Sequence, residues 1–487
     1  MKINSKNDFW LVQQSISNPK KIFIQNSTED FSYSEVFELS KKSAQLFFQK
    51  GIRKGNYVSI ISENNLEFII VINALWFIGA IPILINYRLQ KSEIQSLLNH
   101  SDSNFLINIK KEYFSKCKEF NFVINFSLEE IHNEKLFENF EIFNFEKTAV
   151  MIYSSGSTGN PKLVQLTFNN LFSSFIASDK FINHSEKDIW LATLPFFHIG
   201  GFSIMTRTFL SGSKLAIPKS LNEIDLSEAF EKFNPTLISL VPTMLKRILD
   251  DKISIWKNLR IAFIGGGPAS EKLISDAIKN NFPICLVYGS TETSSMVTFA
   301  DFDNLKKNGI SAGITFPNVE LKIFNDNGNE LNIGEVGEIV IHSNSVAKKY
   351  YKNENLNNLL DGTFSTNDLG KIDENGNLQI LGRKDDIIIS GGENISLNEI
   401  KNLVSQKFNF DLEAIGIKDE KWGQSYILVI ETDISKKIRN GIWQYLKDNL
   451  ASYKLPKQII FENKFPKTEL GKIKKKELAE RLKLDVL

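Results

Sequence analysis

Ten consecutive residues carry an unusual density of groups able to hold an anion: Tyr153-Ser154-Ser155-Gly156-Ser157-Thr158-Gly159-Asn160-Pro161-Lys162. Four aliphatic hydroxyls, two glycines and one lysine fall within nine positions, 154 to 162. They follow Ala149-Val150-Met151-Ile152, an apolar run that reads as a buried strand. Glycine lets backbone N–H groups turn inward and approach a ligand closely. A nest of such groups with hydroxyls and a lysine suits a polyanion such as a triphosphate. The stretch is not a Walker A loop, because no Gly-Lys-Ser/Thr stands at the required spacing. Taken alone, it could equally be a polar connection between two strands.

The elements that must position this loop form a recurring pattern. Val58 to Ile61, Ile81 to Ile85 and Asn104 to Ile107 read as strands, separated by helical stretches. Tyr33 to Phe48 is a helix with Ser32 as its N-cap. Phe68 to Asn86 is apolar and nearly long enough to span a bilayer. Asn73, Gly79 and Pro82 break it, so a buried helix to Phe77, a turn and a strand are expected and no stable membrane span. Beyond the loop, Asn169 to Phe181 is helical, and Trp190 to Pro195 reads as a strand. It runs into Phe196-Phe197-His198-Ile199-Gly200-Gly201 and a helix with Met205 and Arg207. Ile261 to Ile264 ends in Gly265-Gly266-Gly267-Pro268, and Cys285 to Tyr288 ends in Gly289-Ser290-Thr291-Glu292-Thr293. Ligands of open α/β sheets sit beyond the carboxyl ends of strands, so these loops are expected to share one site.

From about Gly309 short alternating strands and Asn-Gly turns announce a β-rich subdomain, closing at Gly382-Arg383-Lys384-Asp385-Asp386. A small α/β unit follows, opened by the capping-box pattern Ser396-Leu397-Asn398-Glu399. The expected fold is therefore α/β. A large N-terminal domain, 1–383, holds stacked α/β sheets and the β-rich subdomain; a small mobile α+β domain occupies 384–487.

Composition excludes several classes. With 487 residues, more than one core is needed. The net charge of +1 gives no general field for nucleic acid or anionic membrane, so no nucleic-acid partner is expected. Cys117 and Cys285 form no disulfide framework and no zinc spacing, which suits a reducing compartment. The five histidines show no metal-ligand spacing. No apolar signal segment opens the chain, and a cytoplasmic location is expected. A homo-oligomer remains open.

Five motifs in order now resemble one family. They are the 153–162 loop, Tyr288-Gly289-Ser290-Thr291-Glu292, Ser365-Thr366-Asn367-Asp368, Gly382-Arg383-Lys384-Asp385 and Pro466-Lys467-Thr468-Glu469-Leu470-Gly471-Lys472. The chain is similar along nearly its whole length to the adenylate-forming enzymes: acyl-CoA ligases, adenylation domains and luciferases. Such enzymes activate a carboxylic acid with ATP and Mg²⁺ as an acyl adenylate. The ligases then pass the acyl group to coenzyme A.

The resemblance implies roles that suit the residue types. Ser154, Ser155, Gly156, Ser157, Thr158, Gly159 and Lys162 would hold the departing phosphates, Thr291 would touch the α-phosphate and Glu292 would ligate Mg²⁺. Asp368 would accept from the ribose hydroxyls with support from Arg383. Gly265, Gly266, Gly267 and Tyr288 would enclose the adenine. Lys472 would be the mobile catalytic lysine bridging the acyl carboxylate and the α-phosphate. Asp385 would be the hinge of the small domain, and Gly391, Gly392 and Glu393 would line a coenzyme A tunnel. Ser157 stands for the usual threonine, Leu163 for a usual glycine, and Asn367 for the glycine before Asp368; Asn tolerates a left-handed backbone.

His198 would gate the acyl site, and Arg207, nine residues on, would line it. A buried charge there is costly unless the substrate brings a second carboxylate. The 2-succinylbenzoate–CoA ligases of menaquinone synthesis look similar at this position, at Gly265-Gly266-Gly267-Pro268-Ala269 and at Lys421-Trp422-Gly423. A ligase for another aryl or fatty acid stays open if Arg207 faces solvent. So does a non-catalytic nucleotide-binding scaffold.

Overall fold

The structure is a computed structural model. It describes the chain except residues 1–7, 90, 110–121, 155–161, 220–222, 252–256, 268, 353–357, 391–392, 420–422, 433–435, 451–453, 469–470 and 487. Among the described residues the strands form four sheets.

The first sheet has nine strands. Its centre is parallel: Ile284–Ser290, Ile261–Ile264, Leu237–Leu240, Ile189–Leu191, Lys214–Ala216 and Ile22–Gln25 lie in that spatial order. Antiparallel strands close both ends, Ser295–Ala300 with Ile314–Thr315 on one side and Asp30–Ser32 on the other. The second sheet has seven strands, with Thr148–Ser154 beside Ile81–Ile85 and Lys162–Thr167. Its edge is a strand of two residues, Lys349–Tyr350, paired antiparallel to Lys162–Thr167. A third, antiparallel sheet spans Val319 to Arg383, and a fourth spans Ile387 to Glu462.

Helix Leu66–Ile78 buries every residue but Glu67. Its sequence is apolar all round, so it belongs between layers rather than on a surface. Asn73 in its middle is tolerated because its amide donates to the Ile69 carbonyl at 2.8 Å. Gly79 ends the helix at φ +81°, a left-handed cap that glycine adopts freely. No helix among the described residues is long and apolar enough to cross a membrane. Around this helix one continuous core joins residues from the first three sheets. Two further cores are built only from residues beyond 387.

The observed elements follow the expected ones, with differences that have local causes. The strand expected over Trp190 to Pro195 ends at Leu191. Pro195 has no N–H for a ladder, and the Leu194 carbonyl instead accepts from the Asn64 amide. Ser32 and Glu35 form a complete capping box, whereas the one expected at Ser396 is half formed. Ser396 Oγ accepts from the Glu399 N–H, but the Glu399 carboxylate turns to Lys454 at 2.8 Å.

Candidate active site

Strand ends of the first two sheets, two paired strands of the third and the turn bearing Lys472 converge. Strand Ile284–Ser290 delivers Tyr288, Thr291 and Glu292. Gly289 is required there: a β-carbon on it would lie 1.8 Å from the Ser295 carbonyl oxygen of the neighbouring strand. A β-carbon on Gly265 would lie 2.8 Å from Val287 Cγ2, and Gly266 takes φ +77°. These glycines bring two strand ends close enough to form one floor.

On that floor the Tyr288 hydroxyl donates to Asp368 Oδ2 at 2.7 Å, and Arg383 Nε stands 3.9 Å from Asp368 Oδ1. Strands Thr363–Ile372 and Leu378–Arg383 pair Asp368 directly with Arg383. Asn367 holds φ +60°, the conformation its short polar side chain permits. Burial pushes the Asp368 carboxyl pKa up, opposed by the Tyr288 hydrogen bond and the charges of Arg383 and Lys472.

Lys472 reaches the same place from the fourth sheet's unit. A β-carbon on Gly267 would lie 3.6 Å from its Cε. The turn before it is held by its own N–H on Thr468 Oγ1 at 3.1 Å and by Gly471 at φ +76°. Burial, and next the Arg383 charge, lower the Lys472 pKa; Asp368 opposes them. His198 is the N-cap residue of helix Ile199–Ser211 and packs on Phe197 with ring centroids 4.6 Å apart. Its pKa falls to about 4, chiefly through burial and then through the charges of Lys472 and Arg88. It is therefore neutral near pH 7.

A second cluster surrounds Glu292, which is buried. Oε1 of Glu292 accepts from Ser154 Oγ and from the Tyr350 hydroxyl, both at 3.1 Å. Lys162 Nζ lies 5.3 Å from the centroid of the Tyr350 ring. Among the described residues no lysine or arginine pairs with Glu292. A buried carboxylate without a protein cation, one oxygen saturated by hydroxyls, fits a divalent cation at its other oxygen. Ser290 Oγ in the same loop has no hydrogen-bond partner among the described residues, which leaves a donor for a ligand.

Arg207 does not face solvent: it is 3% exposed. Nη2 donates to Ser174 Oγ at 3.1 Å, Nε has no partner among the described residues, and burial drives its pKa down. No carboxylate pairs with it among the described residues. Ser174 Oγ in turn donates to the Ser294 carbonyl at 2.9 Å, and the Ser294 N–H donates to the Thr291 carbonyl. Arg207 is thus tied through Ser174 to the loop bearing Thr291 and Glu292; no hydrogen bond joins it to His198 or Lys472.

Ser155, Gly156, Ser157, Thr158, Gly159, Gly391 and Gly392 lie outside the described residues. Glu393 begins strand Glu393–Ser396, and Asp385 lies in the short turn Lys384–Asp386. Two side chains at the site had no role in the sequence reading, Tyr350 and Ser174. An aromatic pair, Tyr350-Tyr351, beside a lysine-rich stretch was the available signal for the first; a serine in a helix gave none for the second.

A family profile described as AMP-binding enzyme matches residues 11–351. The chain belongs to the AMP-binding enzyme family. A 2-succinylbenzoate–CoA ligase of Listeria monocytogenes is 33% identical over 97% of this chain and 99% of its own length. Among solved structures, o-succinylbenzoate CoA synthetase (MenE) of Bacillus subtilis, in complex with the acyl-adenylate intermediate OSB-AMP, superposes with a TM-score of 0.89. That comparison has 29% identity and covers 96% of this chain and 97% of the other. The same Bacillus enzyme in complex with ATP and magnesium ion gives a TM-score of 0.88 at 29% identity, over 96% of this chain and 99% of that one. The AMP-binding fold of this chain therefore matches that of enzymes caught with the nucleotide and with the adenylate.

Proposed function

We propose that the chain is an ATP-dependent, AMP-forming acyl-CoA ligase that converts 2-succinylbenzoate to 2-succinylbenzoyl-CoA in menaquinone biosynthesis. The observation that carries the choice of acid is Arg207, a buried guanidinium that no carboxylate among the described residues pairs with. An isolated buried charge is costly, and a second carboxylate on the substrate offsets that cost through charge-assisted hydrogen bonds. The relatives named for this acid supply the independent support.

In the first half-reaction a carboxylate oxygen of the acid attacks the α-phosphorus of ATP. The bond from that phosphorus to the bridging oxygen breaks, and pyrophosphate leaves with the electron pair. Lys472 bridges the attacking carboxylate and the α-phosphate in this reading, and Thr291 donates to the same phosphate. Asp368 accepts from the ribose hydroxyls, supported by Arg383, and Tyr288 with Gly265 to Gly267 encloses the base. Ser154, Lys162 and the intervening loop hold the departing phosphates. Glu292 would hold Mg²⁺, which supplies neutralisation of the phosphate charge. Neutral His198 walls the acyl end without adding charge.

In the second half-reaction the coenzyme A thiolate attacks the acyl carbon, and AMP leaves. We place the domain boundary between Arg383 and Lys384, with Asp385 as the hinge and Gly391, Gly392 and Glu393 as part of the thiol's route. The cores built only from residues beyond 387 support a unit that moves as one body. A cytoplasmic location belongs to the same proposal.

The test is AMP formation from Mg-ATP and coenzyme A with 2-succinylbenzoate, benzoate, octanoate or palmitate. The expected outcome is a clear preference for 2-succinylbenzoate, with kcat/KM falling about 100-fold or more in Arg207→Ala because a buried charge pair is lost. Preference for a monoacid in the parent enzyme would remove the substrate and keep the ligase. Formation of neither AMP nor pyrophosphate with any of them would remove both.

A further inference from the structure

We infer that Tyr350 is a positioning residue for the metal–nucleotide site: its hydroxyl fixes the Glu292 carboxylate and its ring seats Lys162. This rests on the ligase reading of the same site. Tyr350 is 3% exposed and sits on the two-residue edge strand Lys349–Tyr350. That strand pairs with Lys162–Thr167, Tyr350 opposite Val164, so Tyr350 stands beside the end of the phosphate loop. The chain just before the strand is fixed to the same target, since the Ala347 N–H donates to the Glu292 carbonyl at 2.7 Å.

The hydroxyl and Ser154 Oγ both donate to Oε1 of Glu292, each at 3.1 Å. Two donors on one oxygen set the rotation of the carboxylate plane and leave Oε2 as the oxygen available to a cation. The face of the ring carries negative quadrupole charge, and Lys162 Nζ stands 5.3 Å from its centroid. Tyr350 thus holds one group for the metal and one for the phosphates, from opposite parts of one side chain. A phenol is un-ionised at neutral pH and donates its hydroxyl hydrogen.

The two halves separate experimentally. Binding is read by titration calorimetry, with ATP plus Mg²⁺ and with ATP plus EDTA, on the full chain. Tyr350→Phe removes only the hydroxyl. Its Mg-ATP dissociation constant is expected to rise about tenfold, the scale of one hydrogen bond to a charged group. Its affinity for ATP in EDTA is expected to be unchanged. Tyr350→Leu also removes the ring, and is expected to weaken both. Melting temperatures report folding, and the Phe variant, which keeps the ring, tests the hydroxyl by itself if the Leu variant fails to fold. Parent-like Mg-ATP affinity in Tyr350→Phe would overturn the inference. Equal losses with and without Mg²⁺ in that variant would overturn it too, since a merely structural role predicts them. A parent chain that binds no Mg-ATP would instead sink the ligase reading, and this inference with it.

Discussion

Lys472 and Arg207 show what single side chains do here, and they differ in kind. Lys472 is hydrogen-bonded to Thr468 through both its N–H and its carbonyl, its Cε lies at the Gly267 loop, and its surroundings mix one repelling charge, Arg383, with one attracting charge, Asp368. A compact ammonium on a flexible stem suits a group that must enter for one step and leave for the next. Lys472→Ala is expected to lower adenylate formation about 100- to 1,000-fold, the usual cost of losing a donor aimed at developing charge. Thioester formation from supplied acyl adenylate should change little. Pyrophosphate exchange and single-turnover thioester assays separate the two, and equal losses in both would refute the assigned role. Arg207 is fixed instead, within a helix of buried residues and hydrogen-bonded to Ser174. Arg207→Lys keeps the charge and loses the planar fork, so it should recover only part of what Arg207→Ala loses, read as KM for 2-succinylbenzoate.

At the scale of elements, the glycines decide how close strands come. Strands Ile284–Ser290 and Ser295–Ala300 are antiparallel, with an irregular register between Tyr288 and Gly289. A β-carbon at Gly289 would fall 1.8 Å from a backbone oxygen, which no rotamer change relieves. Gly289→Ala should therefore push Thr291 and Glu292 out of place, abolish adenylation and lower the melting temperature by several degrees. Gly328→Ala is the control: φ is +77° but nothing lies within 4 Å, so a cost of about 1 kcal/mol and full activity are expected. These glycines were legible in the sequence because they close apolar runs, and so was the Ser32 cap with Glu35. Short elements were not. Lys349–Tyr350 has two residues, too few to show a period, and its place depends on a partner almost 190 positions earlier. Strand Ser295–Ala300 and helix Phe302–Asn308 also went unread, since each is shorter than a periodic window. Ser174 escaped for another reason: its importance lies in Arg207 and Ser294, both brought to it by the fold.

Across the whole molecule, two regions with separate cores share one site, and the turn between them is anchored on each flank. Lys384 pairs with Glu338 at 2.8 Å and Asp326 at 3.0 Å, both on the side of the large core. Asp386 pairs with Lys475, which also reaches Glu413 at 3.3 Å on the small side. Neither set of pairs spans residue 385, so a rotation there would leave both intact. The large core holds a buried histidine that links stability to pH. His184 is buried between Phe175 and Trp190, with Nδ1 3.1 Å from Asp179 Oδ1 and Nε2 unpartnered among the described residues. Burial lowers its pKa to about 4, with the Arg207 and Arg260 charges adding to it and Asp179 opposing. In the unfolded chain the same group titrates near 6.5. Between those values the unfolded chain binds the proton and the folded one does not, so stability must fall as pH falls through that window. The loss is on the order of 3 kcal/mol once pH reaches the lower value, and little more from this group below it. His198, largely buried, shifts in the same direction to about 4 and so adds to the same decline. Urea unfolding followed from pH 7 to pH 4 should show this decline, and His184→Gln should flatten it while leaving the neutral-pH midpoint lower or unchanged. A variant with the parent's full slope would assign the acid sensitivity to other groups.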